Sequence, residues 1–222
     1  MWYPTGEVIS YAMDSPPLYK VTAFVVRDSR QSRELLVFRH PTGGVQLPAG
    51  TVEDREDPRD AVLREVNEET GLVGTEIVRE LAVEETILPS DKCIVLRTTP
   101  ILLEPRAGAP AHEVIARNGF WLDAGETCGD YRAVTHSIHD FRNGEFVPTQ
   151  SWSGWALDAC LTRRQIRHHY LIRPTAPTPD RWTHFAEDEY DFELYWIPVD
   201  SDPGLAGVQD GWRRFLTFDL SD

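Results

Sequence analysis

The spacing of apolar and polar positions divides this chain into short blocks. Residues 19–26 (YKVTAFVV) are rich in β-branched and aromatic side chains and predict a buried strand. The polar stretch 28–33 predicts a turn, and 34–38 (ELLVF) a second strand, so the two form a hairpin. Residues 41–50 (PTGGVQLPAG) are punctuated by proline and glycine and predict a loop, with a short strand around 45–47. The period then changes. Ala61, Val62, Leu63 and Val66 make the apolar stripe of a helix. Asp57 is a suitable N-cap, Pro58 fits the first helical position, and Gly71 stands where a glycine ends a helix.

Strands are predicted over 76–85 and 93–103. The stretch 106–162 is turn-rich and β-like, with the tripeptide RNG at 117–119 and again at 142–144. Strands return at 168–173 (HHYLIR), 181–185 (RWTHF) and 191–199 (DFELYWIPV), and a short amphipathic helix is predicted over 206–216. Residues 1–17, broken by Pro4, Pro16 and Pro17, read as an extended lead-in.

Charge narrows the choice of partners. The 222 residues carry 36 Asp+Glu against 22 Lys+Arg, a net charge of −14. Nucleic acid and anionic membrane surfaces both select clustered Lys and Arg, so neither is expected as a partner. A phosphorylated small molecule remains open if a cation mediates the contact. No apolar run approaches the ~18 residues of a membrane span. The first twenty residues lack an early basic cluster and carry Glu7 and Asp14, unlike a signal peptide. Cys93, Cys128 and Cys160 are odd in number and far apart, which predicts inert, mostly buried, reduced thiols in a cytoplasmic protein. Six of the seven tryptophans follow residue 120, so the second half is expected to fold as well.

The chemistry concentrates between Gly50 and Leu72. Glu65, Glu68 and Glu69 are spaced i, i+3, i+4, which makes them neighbours on one helix surface. Like charges at that spacing repel by roughly 0.2–0.5 kcal/mol per pair. They also crowd the negative end of the helix dipole, which costs about 0.3–1 kcal/mol each. A surface helix with a solvated acidic face would place Lys or Arg at that end instead. A hard divalent cation that takes oxygen ligands explains the arrangement.

The whole segment resembles the Nudix box, G-x5-E-x7-R-E-U-x-E-E-x-G-U with U apolar. Gly50, Glu56, Arg64, Glu65, Val66, Glu68, Glu69, Gly71 and Leu72 meet every fixed position. From average residue usage, a chance match at a given start is on the order of one in 10⁹. The resemblance implies an α+β fold, an α/β/α sandwich around a mixed sheet. It implies hydrolysis of a diphosphate bond in a nucleoside diphosphate linked to another moiety, with Mg²⁺ or Mn²⁺ as cofactor. Glu65, Glu68 and Glu69 would then be metal carboxylates, with a backbone carbonyl of Ala49 or Gly50 as a further ligand. Glu56 and Arg64 would pair to tie the loop to the helix, with Arg64 orienting its neighbours.

The general base varies within the family. Glu68 is one candidate, and Glu187, Asp188 and Glu189 form another group in sequence order. Arg39 and His40 are candidates for holding a phosphate. Trp182, Phe185, Tyr195 and Trp196 could stack on a base, although Trp196 alternates with Phe192 and Leu194 along a strand and is expected in the core.

The stretch 100–162 is similar to a bacterial SH3-like module. The resemblance rests on 119–123 (GFWLD), 129–134 (GDYRAV) and the step Gly154-Trp155-Ala156 before Leu161. It implies a small β-barrel inserted into a split domain: 1–99 as the first part of the Nudix domain, 100–162 as the insert, 163–222 as the second part. The insert would be a surface for a protein or self partner; the alternative is an elaborated set of loops and strands belonging to the main domain. A non-catalytic, nucleotide-sensing protein on the same fold is the alternative to a hydrolase. An isomerase would need a further catalytic cysteine or acid, and no cysteine here has a suggestive neighbourhood.

Overall fold

A computed structural model describes residues 15–29, 32–117, 121–142, 145–186 and 190–216. The lead-in at 1–14, Glu187–Glu189, and parts of both RNG turns and of the GFWLD strand lie outside them. The described residues divide into two compact units, one from 19–84 and 166–216, the other from 15–18 and 85–165.

In the first unit, β1 (Leu18–Asp28) and β2 (Arg33–His40) form the expected antiparallel hairpin, with Val26 opposite Leu35. The short β3 (Gly44–Gln46) pairs with β2, and β4 (Ala49–Thr51) pairs with β1. Helix α1 (Pro58–Thr70) follows. Its caps match the sequence: an Asp57 carboxylate oxygen accepts the Arg59 N–H at 2.8 Å. Gly71 ends the helix at φ 71°, and its N–H reaches the Asn67 carbonyl at 2.8 Å. β5 (Thr75–Ile87) comes next.

β1 reads as a continuous apolar run because both its faces are covered. Val21, Ala23 and Val25 pack with Ala61, Val62 and Val66 of α1. Phe24 and Val26 face the other way, against Trp212 and Leu216. Those two belong to the expected short amphipathic helix, which runs over Gly207–Leu216 in the 3-10 conformation. Gly207, at φ 58°, and Gly211 weaken an α-helix there.

In the second unit, β6 (Lys92–Val95) and β7 (Thr99–Leu102) replace the single strand expected over 93–103. The break falls at Leu96–Thr98, where the N–H groups of Leu96 and Arg97 both turn to the Cys160 carbonyl. β8 (Ala111–Ile115), β9 (Trp121–Cys128), β10 (Tyr131–Arg142), β11 (Glu145–Leu157) and β12 (Leu161–Thr162) complete a seven-stranded sheet in the order β12-β6-β9-β10-β11-β7-β8. Cys93, Val95, Ile101, Leu122, Val134 and Ala156 form its core. All three cysteines are free thiols, but only Cys93 is buried; Cys128 is exposed and Cys160 intermediate. Burial pushes the Cys93 thiol up to about 12.

β13 (Arg164–Pro174), β14 (Arg181–Ala186) and β15 (Tyr190–Pro198) return to the first sheet, whose order is β14-β15-β2-β1-β13-β5. Phe192 and Leu194 of β15 join the core beneath α1, and Trp196 packs against it as expected. Among the described residues no helix is long and apolar enough to cross a membrane.

Candidate active site

Strand β4 carries the entrance of the glutamate segment onto α1. Pairing sets Gly50 opposite Val21 and Ala49 opposite Thr22. Gly50 lies directly on the Glu65 side chain: a Cβ at position 50 would sit 1.8 Å from its carboxyl carbon. The Ala49 N–H donates to a Glu69 carboxylate oxygen at 2.8 Å. Glu69 is 7% exposed, so this bond satisfies a carboxylate that water barely reaches.

Arg64 organises the remaining acids. Its Nε and Nη2 grip the two Glu56 oxygens at 2.8 and 3.0 Å. Nη2 also donates to the Thr51 carbonyl at 3.1 Å. Nη1 donates to Glu65 at 3.0 Å and to Glu68 at 2.8 Å. The guanidinium therefore links the loop, β4 and the helix in one planar fork. Glu56 closes the loop as well, accepting the Glu53 N–H at 2.7 Å. The Glu56–Arg64 pair is present, and Arg64 also holds its neighbours Glu65 and Glu68.

Electrostatics follow from this packing. Burial raises the Glu65 carboxyl above its ordinary range, while Arg64 opposes the shift and Glu68 adds to it. The Arg64 guanidinium is held more firmly protonated, first by its hydrogen bond to Glu56. Lys20 lies close enough to favour the Glu65 charge, and its Nζ donates to Thr51 Oγ1 at 2.8 Å.

Does this set suit a divalent cation? Among the described residues no three acidic, histidine or cysteine side chains converge as a ready cage. The donor chemistry nevertheless fits. Oxygens of Glu65 and Glu68 already bracket one cationic nitrogen. Gly50 leaves the Glu65 carboxylate unobstructed by any side chain at that position. Hard carboxylate oxygens are the ligands Mg²⁺ takes.

The other sequence candidates are dispersed. Arg39 is exposed, and strand alternation sets it with Leu35 and Val37, whose side chains pack in the core away from α1. His40 falls on the α1 face, its ring 4.8 Å from Tyr190 and 5.1 Å from Phe192. Its Nδ1 accepts the N–H groups of Thr42 and Gly43. Glu187, Asp188 and Glu189 lie outside the described residues. Phe185 is 58% exposed. Tyr195 packs towards the 3-10 helix side with Arg181 over its ring, and Trp196 bonds the Pro179 carbonyl.

Two residues serve the site in a way the sequence did not suggest: Trp182, expected to stack on a base, and His184, which had no assignment. Trp182 Nε1 donates to the Thr70 carbonyl at 2.8 Å, and His184 Nε2 to the Glu68 carbonyl at 3.0 Å. The available signal was negative: α1 has no basic residue in its last turn, so its terminal carbonyls must find donors elsewhere.

Comparison with known proteins agrees with the motif. A segment of 39 residues is 54% identical to Nudix hydrolase 25 of Arabidopsis thaliana, covering 18% of this chain and 22% of that protein. A segment of 72 residues is 40% identical to a CMP-5'-(N-acetyl-N-hydroxy-3-aminopropyl)phosphonate hydrolase of Streptomyces rubellomurinus, covering 31% of this chain and 34% of that protein. The matches thus span about a third or less of these relatives' lengths. A MutT/nudix family protein from Enterococcus faecalis is 18% identical over 66% of this chain and 59% of its own, at a TM-score of 0.27, too loose a superposition to bear on the fold. The NUDIX domain family profile matches residues 18–116, which contain the whole glutamate segment. Over residues 18–116 the chain is thus similar to a NUDIX domain.

Proposed function

We propose that this protein is a divalent-metal-dependent hydrolase that cleaves the diphosphate bond of a nucleoside diphosphate linked to another moiety. The observation that carries the reading is the convergence of β4 on the acidic end of α1, with Gly50 against Glu65 and Ala49 bonded to Glu69. A Mg²⁺ or Mn²⁺ ion held by Glu65, Glu68, Glu69 and a carbonyl of Ala49 or Gly50 would polarise the phosphate oxygens and favour ionised water.

The chain's own residues supply the rest. Glu56 fixes Arg64, and Arg64 holds the carboxylates of Glu65 and Glu68 together until the ion takes its place between them. Glu69 anchors the entrance loop. Glu68, 53% exposed at its side chain, is the acid best able to take a proton from the attacking water. Water's oxygen bonds to one phosphorus, the bridging P–O bond breaks, and two phosphate monoesters leave. Glu187 and Glu189 are proposed substrate contacts from sequence order alone, and Arg39, on the β2 face away from α1, would reach only a part of the substrate remote from the glutamates.

The segment 100–162 is proposed as an inserted SH3-like module between 1–99 and 163–222, with a protein or self partner. Its support is the separate sheet and core of the second unit, and Gly154, where a Cβ would meet the Leu102 carbonyl at 2.4 Å. Three free thiols support a cytoplasmic location.

Nucleotide sensing without turnover is the second reading, favoured by the firm hold of Arg64 on two of the acids. A panel of nucleoside diphosphate derivatives with Mg²⁺ separates the two. Turnover of at least one, abolished by EDTA and by Glu69→Gln, is expected. Binding with no product from any member would support sensing instead.

A further inference from the structure

The end of α1 that carries the glutamates has an unusual means of closing its backbone. The last four carbonyls of a helix lack intrahelical donors, and a basic side chain nearby commonly offsets the negative dipole end. α1 has no basic residue in its last turn. Donors come instead from β14. His184 Nε2 lies 3.0 Å from the Glu68 carbonyl, and Trp182 Nε1 lies 2.8 Å from the Thr70 carbonyl. A carbonyl only accepts, so His184 donates from Nε2.

The sequence makes this juxtaposition possible through period two. Trp182 and His184 share one face of β14, opposite Leu194 and Phe192 of β15. Leu194 and Phe192 pack in the core beneath α1. Gly71 completes the fit, since a Cβ there would come within 2.8 Å of His184 Nδ1. Residue 68 is thereby held twice, its carbonyl by His184 and its carboxylate by Arg64.

We propose that His184 and Trp182 are positioning residues for the acidic turn, fixing the backbone from which Glu68 and Glu69 present their carboxylates to a divalent cation. The inference rests on reading the glutamate segment as a metal site. Without the His184 donor, the exposed Glu68 carbonyl is left to mobile water at the negative end of the dipole. The last turn then opens, and the carboxylates lose their shared geometry. Trp182 acts one step further out, through Thr70.

The test is Mn²⁺ binding, followed by the EPR signal of the free ion, in the full chain. Wild type is compared with His184→Ala, His184→Gln and Trp182→Phe, and the Tm of each metal-free protein is recorded. His184→Ala is expected to weaken Mn²⁺ roughly tenfold, the scale of lost outer contacts at metal sites. Trp182→Phe is expected to weaken it by a smaller factor. His184→Gln, whose amide reaches the same carbonyl, is expected to recover most of the affinity, with every metal-free Tm close to wild type. Unchanged Mn²⁺ affinity in both His184→Ala and Trp182→Phe overturns the inference while leaving the metal site intact. So does a loss that His184→Gln fails to recover, or one that only follows a fall in Tm. Absence of Mn²⁺ binding by the wild type overturns the metal reading itself, and this inference with it.

Discussion

Gly50 rests on the carboxylate of Glu65 so closely that a methyl group at position 50 would occupy the same space, 1.8 Å from the carboxyl carbon. Position 50 lies on a strand paired to β1, and the Glu65 carboxylate is bonded to Arg64, so relief requires the Glu65 side chain to swing out of that bond. Gly50→Ala should therefore lower stability by about 1–3 kcal/mol, the usual cost of overpacking. Urea denaturation measures this. Retention of wild-type stability would show that the Glu65 side chain moves aside freely.

Arg64 is expected to matter through its geometry more than through its charge. It serves Glu56, Glu65, Glu68 and the Thr51 carbonyl with one planar group. Lysine keeps the charge and loses the fork. Arg64→Lys should cost about 1–3 kcal/mol, since it leaves charged partners short of donors. Arg64→Ala should cost more. Equal stability of Arg64→Lys and wild type in denaturant titrations would reduce the clamp to a simple point charge.

Stability should also fall on mild acidification through His169. This side chain is fully buried, 4.4 Å from the Phe215 ring and 5.6 Å from Trp212 of the 3-10 helix. Burial, then Arg167, Arg214 and His168, depress its pKa to about 3. The unfolded chain binds the proton near pH ~6.5 and the folded chain does not. The contribution is complete above that pH and is lost progressively as pH falls towards 3. It amounts to about 2 kcal/mol less stability at pH 5 than at pH 8. His169→Leu should remove that part of the pH dependence. An unchanged slope in the variant would assign it to other groups.

What was legible in the sequence follows from how strongly each signal was local. Asp57, Pro58 and Gly71 define both ends of α1 because capping is a matter of a few adjacent residues. Glu56 and Arg64 were legible as a pair through the motif, and the structure joins them. Facing was harder to read. In β2, Leu35 to Phe38 are all buried, so the run itself does not say which residues face α1. Only the paired cores reveal that Arg39 follows Leu35 and Val37 while His40 follows Phe38. The capping of α1 by Trp182 and His184 joins residues more than a hundred positions apart, beyond any local pattern. The break at Leu96–Thr98 depends on the distant Cys160 carbonyl in the same way.

The proposed hydrolysis requires that the end of α1 hold a divalent ion. The direct measurement is a crystal of the protein soaked in Mn²⁺, read by anomalous difference density. The expected result is one or more ions within about 2.5 Å of carboxylate oxygens from Glu65, Glu68 and Glu69, with Arg64 Nη1 withdrawn from between Glu65 and Glu68. The contradicting result is no anomalous peak at this site in a crystal that takes up the ion, with Arg64 still bonded to both acids.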